Sequence, residues 1–182
     1  MDNKKILKLL NEENYTELKK LVLQEIAIKD SENSNTAKAI LKLSKLAKKD
    51  MQKVRPALAG AYIFDFGKTQ ITNGFWAYIN DNELAGLEMV QEYREQPDLD
   101  KVIDKKAGQE IELNREELSK AVAEKKLFTI EDVNFNAEYV QNMAKCFDIA
   151  NTTIKLINNG GWGSIMFIAP DSRGVVLSMR KA

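Results

Sequence analysis

Residues 36 to 80 constrain this chain most, because an amphipathic helical pattern is cut at Arg55-Pro56 and gives way at once to short apolar runs punctuated by glycine. At 100° per residue, Ile40, Leu43, Leu46, Ala47 and Met51 take one side of a helix from 36 to about 53. Lys38, Lys42, Lys45, Lys49 and Lys53 take the other, with Lys48 at its margin. A residue before proline is disfavoured in the α region, so the helix stops at Arg55. Ala61 to Phe64 and Gln70-Ile71 then flank the turn Asp65-Phe66-Gly67-Lys68, and Asn73-Gly74 leads into a third strand, Phe75 to Ile79.

On the N-terminal side, residues 3 to 11 and 16 to 29 read as two helices broken by Glu12-Glu13-Asn14, a helical hairpin. Asp30 to Asn35 is a polar connector and marks the boundary between an appendage, residues 1 to 35, and the main domain, residues 36 to 182; Thr36 is placed to cap the next helix. Residues 81 to 126 form a polar acidic insertion, with thirteen Asp/Glu against eight Lys/Arg. Within it Leu84 to Val90 and Glu116 to Ala123 look helical, the second opened by an Asn114/Glu117 capping box. Thr129 to Phe135 reads as one strand and Asn136 as the cap of a helix through Phe147. Strands follow at 152 to 157, 164 to 168 and 174 to 179, separated by glycine-rich turns. The order is a helix-plus-sheet unit written twice. It implies an α+β layer arrangement, with the helices near 36 to 53 and 136 to 147 on one side of the sheets.

Composition excludes several chemistries. The chain has no histidine, which removes Ser-His-Asp and Cys-His systems and the usual zinc sites, and no pair of carboxylates stands at a diagnostic spacing. The expectation is therefore a protein that is not an enzyme and carries no cofactor and no metal. A lone cysteine, Cys146, allows no intrachain disulfide and no cysteine-based metal cluster; it falls on the Tyr139, Val140, Met143, Phe147 side of its helix and reads as core. No apolar run reaches the roughly 20 residues of a membrane span and the start lacks a signal peptide's apolar region, so the expected location is cytoplasmic and no membrane contact is expected. Net charge is zero, yet residues 1 to 55 hold thirteen Lys/Arg against eight Asp/Glu, which suggests an anionic partner for that end.

The lysine stripe has two readings: the solvated face of an amphipathic helix, or a surface that holds phosphates without reading bases. Phe75, Trp76 and Tyr78 are suited to base stacking, but alternation turns half of them inward and core packing is the favoured role. Trp162 is the tryptophan expected at the surface. Asn159 to Ser164 lacks the Gly-Lys-Ser/Thr ending of a phosphate-binding loop and reads as a hairpin turn.

Arg55-Pro56-Ala57-Leu58-Ala59-Gly60-Ala61-Tyr62-Ile63, Gly67, and Ile71-Thr72-Asn73-Gly74-Phe75-Trp76-Ala77 together resemble the strand-and-turn phrase of the bacterial-type DNA sliding clamp, the β subunit of the replicative polymerase. Phe135-Asn136-Ala137-Glu138-Tyr139-Val140 resembles a clamp helix start, and Val175 to Arg180 its terminal strand; the resemblance spans residues 36 to 182. Asn73 and Ser178 stand where the clamp usually has aspartate and proline. The resemblance implies a DNA-clamp-like domain of two helix-plus-sheet units. It implies a non-catalytic scaffold in DNA replication that contacts duplex DNA weakly and without sequence preference through Lys38, Lys42, Lys45 and Lys49. A polymerase-like protein partner and a homo-oligomer are also implied. The alternative is a small regulatory or interaction protein that has the clamp-like fold and does not bind DNA.

Overall fold

Two helices open the chain, and the second begins where a polar residue takes over an unsatisfied backbone donor. The computed structural model describes residues 3–30, 34–64, 67–90, 96–103, 108–123, 126–148 and 150–179. Helices α1 (Asn3–Asn11) and α2 (Tyr15–Asp30) form the hairpin, and Asn14 Oδ1 accepts a hydrogen bond from the Glu17 amide at 3.2 Å. Helix α3 (Ser34–Met51) then starts two residues earlier than the sequence suggests, so Thr36 lies inside its first turn and is not its cap. Residues 31–33 of the connector lie outside the described residues.

Beyond a short 3-10 turn at Pro56–Leu58, strands β1 (Ala61–Phe64), β2 (Lys68–Thr72) and β3 (Trp76–Asn80) form an antiparallel meander. The Asn73-Gly74 turn is built as its residues require: Gly74 sits at φ +86°, and Asn73 Oδ1 accepts from the amides of Phe75 and Trp76. Residues Asp65 and Phe66 of the preceding turn are outside the described set. Next come α4 (Leu99–Ile103), β4 (Gln109–Glu112), α5 (Arg115–Val122), the hairpin β5 (Leu127–Ile130) and β6 (Val133–Asn136), and α6 (Ala137–Ala144). Strands β7 (Thr153–Asn158), β8 (Gly163–Ile168) and β9 (Ser172–Leu177) close the chain.

The fold is mixed α+β. Seven antiparallel strands run in the order β1-β2-β3-β9-β8-β7-β4, and β5-β6 is a separate two-stranded sheet. Both halves of the chain meet at β3 and β9, where Trp76 pairs with Val176 and Asn80 with Ser172. Period-2 alternation divides β3 between two layers: Trp76 and Tyr78 join the large core under α3, α5 and α6, whereas Ala77 and Ile79 face Leu99 and Ile103 of α4. All five residues of β3 are therefore buried. Helices α3 and α6 share the same core and touch through Lys42 and Asn142, so they lie on one side of the sheet.

Several local expectations change. Residues 84 to 90 are not helical: the Ala61 amide donates to Glu88 O, the Val90 amide donates to Ala61 O, and Gln24 Nε2 donates to Gly86 O at 2.8 Å. Backbone groups that a helix would pair with one another are taken by β1 and α2, and Gly86 at φ +76° breaks the local twist. Residues 129 to 135 contribute to two strands rather than one, because Glu131 and Asp132 adopt left-handed φ values of 47° and 60° and turn the chain without a glycine. Within the acidic stretch, β4 pairs with β7 at the sheet edge, where Lys155 Nζ donates to Glu110 Oε2 at 2.8 Å. Its polar, edge-strand composition hid it.

Candidate nucleic-acid interface

Helix α3 is oriented by its apolar face. Ile40, Leu41, Leu43, Ser44, Ala47 and Met51 are buried, which leaves Lys38, Lys42, Lys45 and Lys49 exposed along the opposite side. Ser44 survives burial because its hydroxyl donates to Leu41 O at 2.9 Å and accepts from the Glu88 amide. The stripe is open rather than covered by the N-terminal hairpin. That hairpin docks at the helix margin instead, where Glu88 bridges Lys20 of α2 and Lys48 of α3. Burial works against ionising Glu88, but the hydrogen bonds from the two lysines outweigh it and hold the carboxyl below its ordinary value.

Among the described residues, no carboxylate pairs with Lys38, Lys42, Lys45 or Lys49, and Lys42 Nζ donates to Asn142 Oδ1 at 3.1 Å. Lys53 is also exposed but lies beyond the end of α3. Four ammonium groups with no carboxylate partner among the described residues make this face of α3 electropositive.

At one end of this stripe a cavity of about 570 Å³ opens between the start of α3, the end of α6 and the first residue of α5. Lys38 and Lys42 form one wall, and Arg115 and Lys145 another. Arg115 is held by its own Nη2, which donates to Ala144 O at 2.7 Å and to Phe147 O at 3.1 Å. Those bonds occupy carbonyls at the C-terminal end of α6, where a helix presents its negative pole. Neither Arg115 nor Lys145 stands out in the sequence, because the cluster is assembled from three separate elements and leaves no spacing in the chain.

The aromatic candidates divide. Trp76 and Tyr78 are core, and Tyr78 packs edge-on against Phe147 at 5.6 Å between ring centres. Phe75, on the turn, is exposed and stacks on Tyr139 at 6.3 Å. Trp162 is exposed on its hairpin turn. Cys146 is buried, and that burial pushes its thiol pKa up, which leaves it a poor nucleophile. Among the described residues no group of His, Cys, Asp or Glu could hold a metal ion, and no helix is long and apolar enough to cross a membrane. Comparison with known proteins returns no matching family, no matching curated protein and no matching solved structure.

Proposed function

We propose that this protein is a non-catalytic, DNA-associated scaffold with a sliding-clamp-like domain, holding duplex DNA weakly through Lys38, Lys42, Lys45 and Lys49. The observation that carries this reading is the exposed stripe on α3, four lysines along one face with no acidic partner among the described residues. Mobile ammonium groups neutralise phosphates without reading bases, and the release of condensed counterions makes such binding independent of sequence and sensitive to salt. A tethering or processivity role, with a polymerase-like protein as partner, belongs to the same proposal and rests on the clamp-like phrases in the sequence.

Replacing all four lysines by glutamine tests it. Binding to unrelated duplexes should fall equally, and the slope of log affinity against log salt should become shallower by roughly 0.9 per lysine removed. Absence of binding by the wild type at low salt, or wild-type binding by the quadruple variant, would falsify the DNA reading.

A second reading, an interaction protein that does not bind DNA, is favoured by a different observation. Leu7, Leu10, Val22 and Ile26 of the α1-α2 hairpin are exposed apolar side chains, which suits a protein partner more than a nucleic acid. Loss of partner capture on polar substitution of Leu7 and Leu10, with no DNA binding by the wild type, would select it.

A further inference from the structure

The 570 Å³ cavity at the end of the lysine stripe has a chemistry of its own. We propose that it binds a compact phosphorylated ligand of nucleotide size, through Lys38, Lys42, Arg115 and Lys145. The lining charges and the pole of a helix both point to an anion. Four cations line the cavity, and Asp148 is the one carboxylate among its described lining residues. The first turn of α3, whose Asn35 and Thr36 also line the cavity, contains no acid, so the positive pole of an 18-residue helix adds to the lysines. Arg115 also lines the recess, and its Nη2 is held by the carbonyls of Ala144 and Phe147, so the guanidinium stands as a fixed positive charge beside the lysines.

Size and shape distinguish this ligand from a duplex. Small-molecule sites span about 300–1,000 Å³, and a recess of this volume admits a nucleotide, whereas the phosphates of a duplex track the convex outer face of α3. Ala39, Leu43 and Phe147 supply an apolar patch within the same recess, and Asn142 supplies an amide, which together suit a base and sugar attached to the phosphates. Arg115 is the rigid anchor, since two carbonyl oxygens fix its fork, while the three lysines adjust to the phosphate.

The proposal does not rest on duplex binding, because Arg115 and Lys145 are outside the stripe and Lys45 and Lys49 are outside the cavity. Titration calorimetry of the full chain with adenosine diphosphate, and separately with inorganic phosphate, tests it at low salt. Saturable one-site binding is expected, tighter for the nucleotide than for phosphate. Lys145→Gln should weaken nucleotide binding by about tenfold, the effect of one charge-assisted hydrogen bond. Because Lys145 is exposed, that variant should keep the wild-type melting temperature. Arg115→Lys, which keeps the charge and loses the fork, should also weaken it, and the Lys45→Gln/Lys49→Gln pair should leave it unchanged. The site is refuted by the absence of saturable nucleotide binding, by wild-type binding of Lys145→Gln, or by an equal loss in the Lys45/Lys49 pair, which would indicate diffuse attraction to the stripe. Equal affinity for phosphate and nucleotide would overturn the nucleotide-sized assignment.

Discussion

Glu88 is the residue on which the N-terminal hairpin turns. Its carboxylate receives Lys20 from α2 and Lys48 from α3, and its depressed pKa ties that docking to pH. A carboxyl whose folded pKa lies below the unfolded one stabilises the fold above the unfolded value, and the contribution is lost as pH falls through the folded pKa. Acidification below the ordinary glutamate range should therefore loosen α2 from α3 before the sheet melts, and Glu88→Gln should remove that acid-dependent step. Hydrogen exchange of α2 amides as a function of pH checks both. Gly174 is a second sensitive point, for a steric reason: a Cβ there would stand 2.6 Å from Met143 Sδ and 2.7 Å from Phe147 Cε2. Gly174→Ala should cost about 1–3 kcal/mol by overpacking, measured by denaturant unfolding, because β9 is held against α6 at that position.

At the scale of elements, caps were the most readable feature. Asn114 and Asn136 each accept two amide hydrogen bonds at the start of α5 and α6. Asn136→Ala should therefore cost about 1 kcal/mol of stability, while Asn136→Ser should cost much less. The lysine face of α3 is a contrasting case, since its four side chains are exposed and, among the described residues, only Lys42 reaches a buried one, through Asn142. Neutralising them should change the melting temperature little, as surface substitutions away from special features stay within about 0.5 kcal/mol each. A large fall in thermal stability of the quadruple glutamine variant would assign these lysines a structural role instead. The segment 84–90 was misread for an intelligible reason: its apolar spacing suits a helix, but α2 and β1 compete for its backbone. Helical propensity is weak against such tertiary hydrogen bonds.

For the whole molecule, the sheet sets the assembly question. It ends in β1 on one side and β4 on the other, and the β1 edge is partly covered by the Ala61–Met89 bridge. On the proposed clamp-like reading, a single such domain surrounds a duplex only by closed head-to-tail association, with about six copies if it keeps the geometry of the clamps it resembles. Light scattering across a range of concentrations is expected to give that discrete multiple; a monomer throughout would exclude the ring and favour the interaction-protein reading. The α1-α2 hairpin rests on α3 and on the 83–88 loop and contributes no strand to the sheet. Deleting residues 1–30 should therefore leave the sheet folded and the number of chains per assembly unchanged, as circular dichroism and light scattering would report.

The sequence alone determined the features that depend on local chemistry: the helical hairpin, the lysine face of α3, the Asn73-Gly74 turn, the asparagine caps and the three closing strands. Periodicity and turn residues act over a few positions, so they can be read in the chain. What only the tertiary structure decided is where those pieces meet. The seven-stranded sheet joined at β3 and β9, the polar edge strand β4 and the cationic recess of Lys38, Lys42, Arg115 and Lys145 each depend on contacts between segments far apart in sequence. No spacing encodes such contacts, because a pairing between distant strands or a cluster drawn from three helices is fixed by burial of the shared core, and only the folded chain brings those residues together.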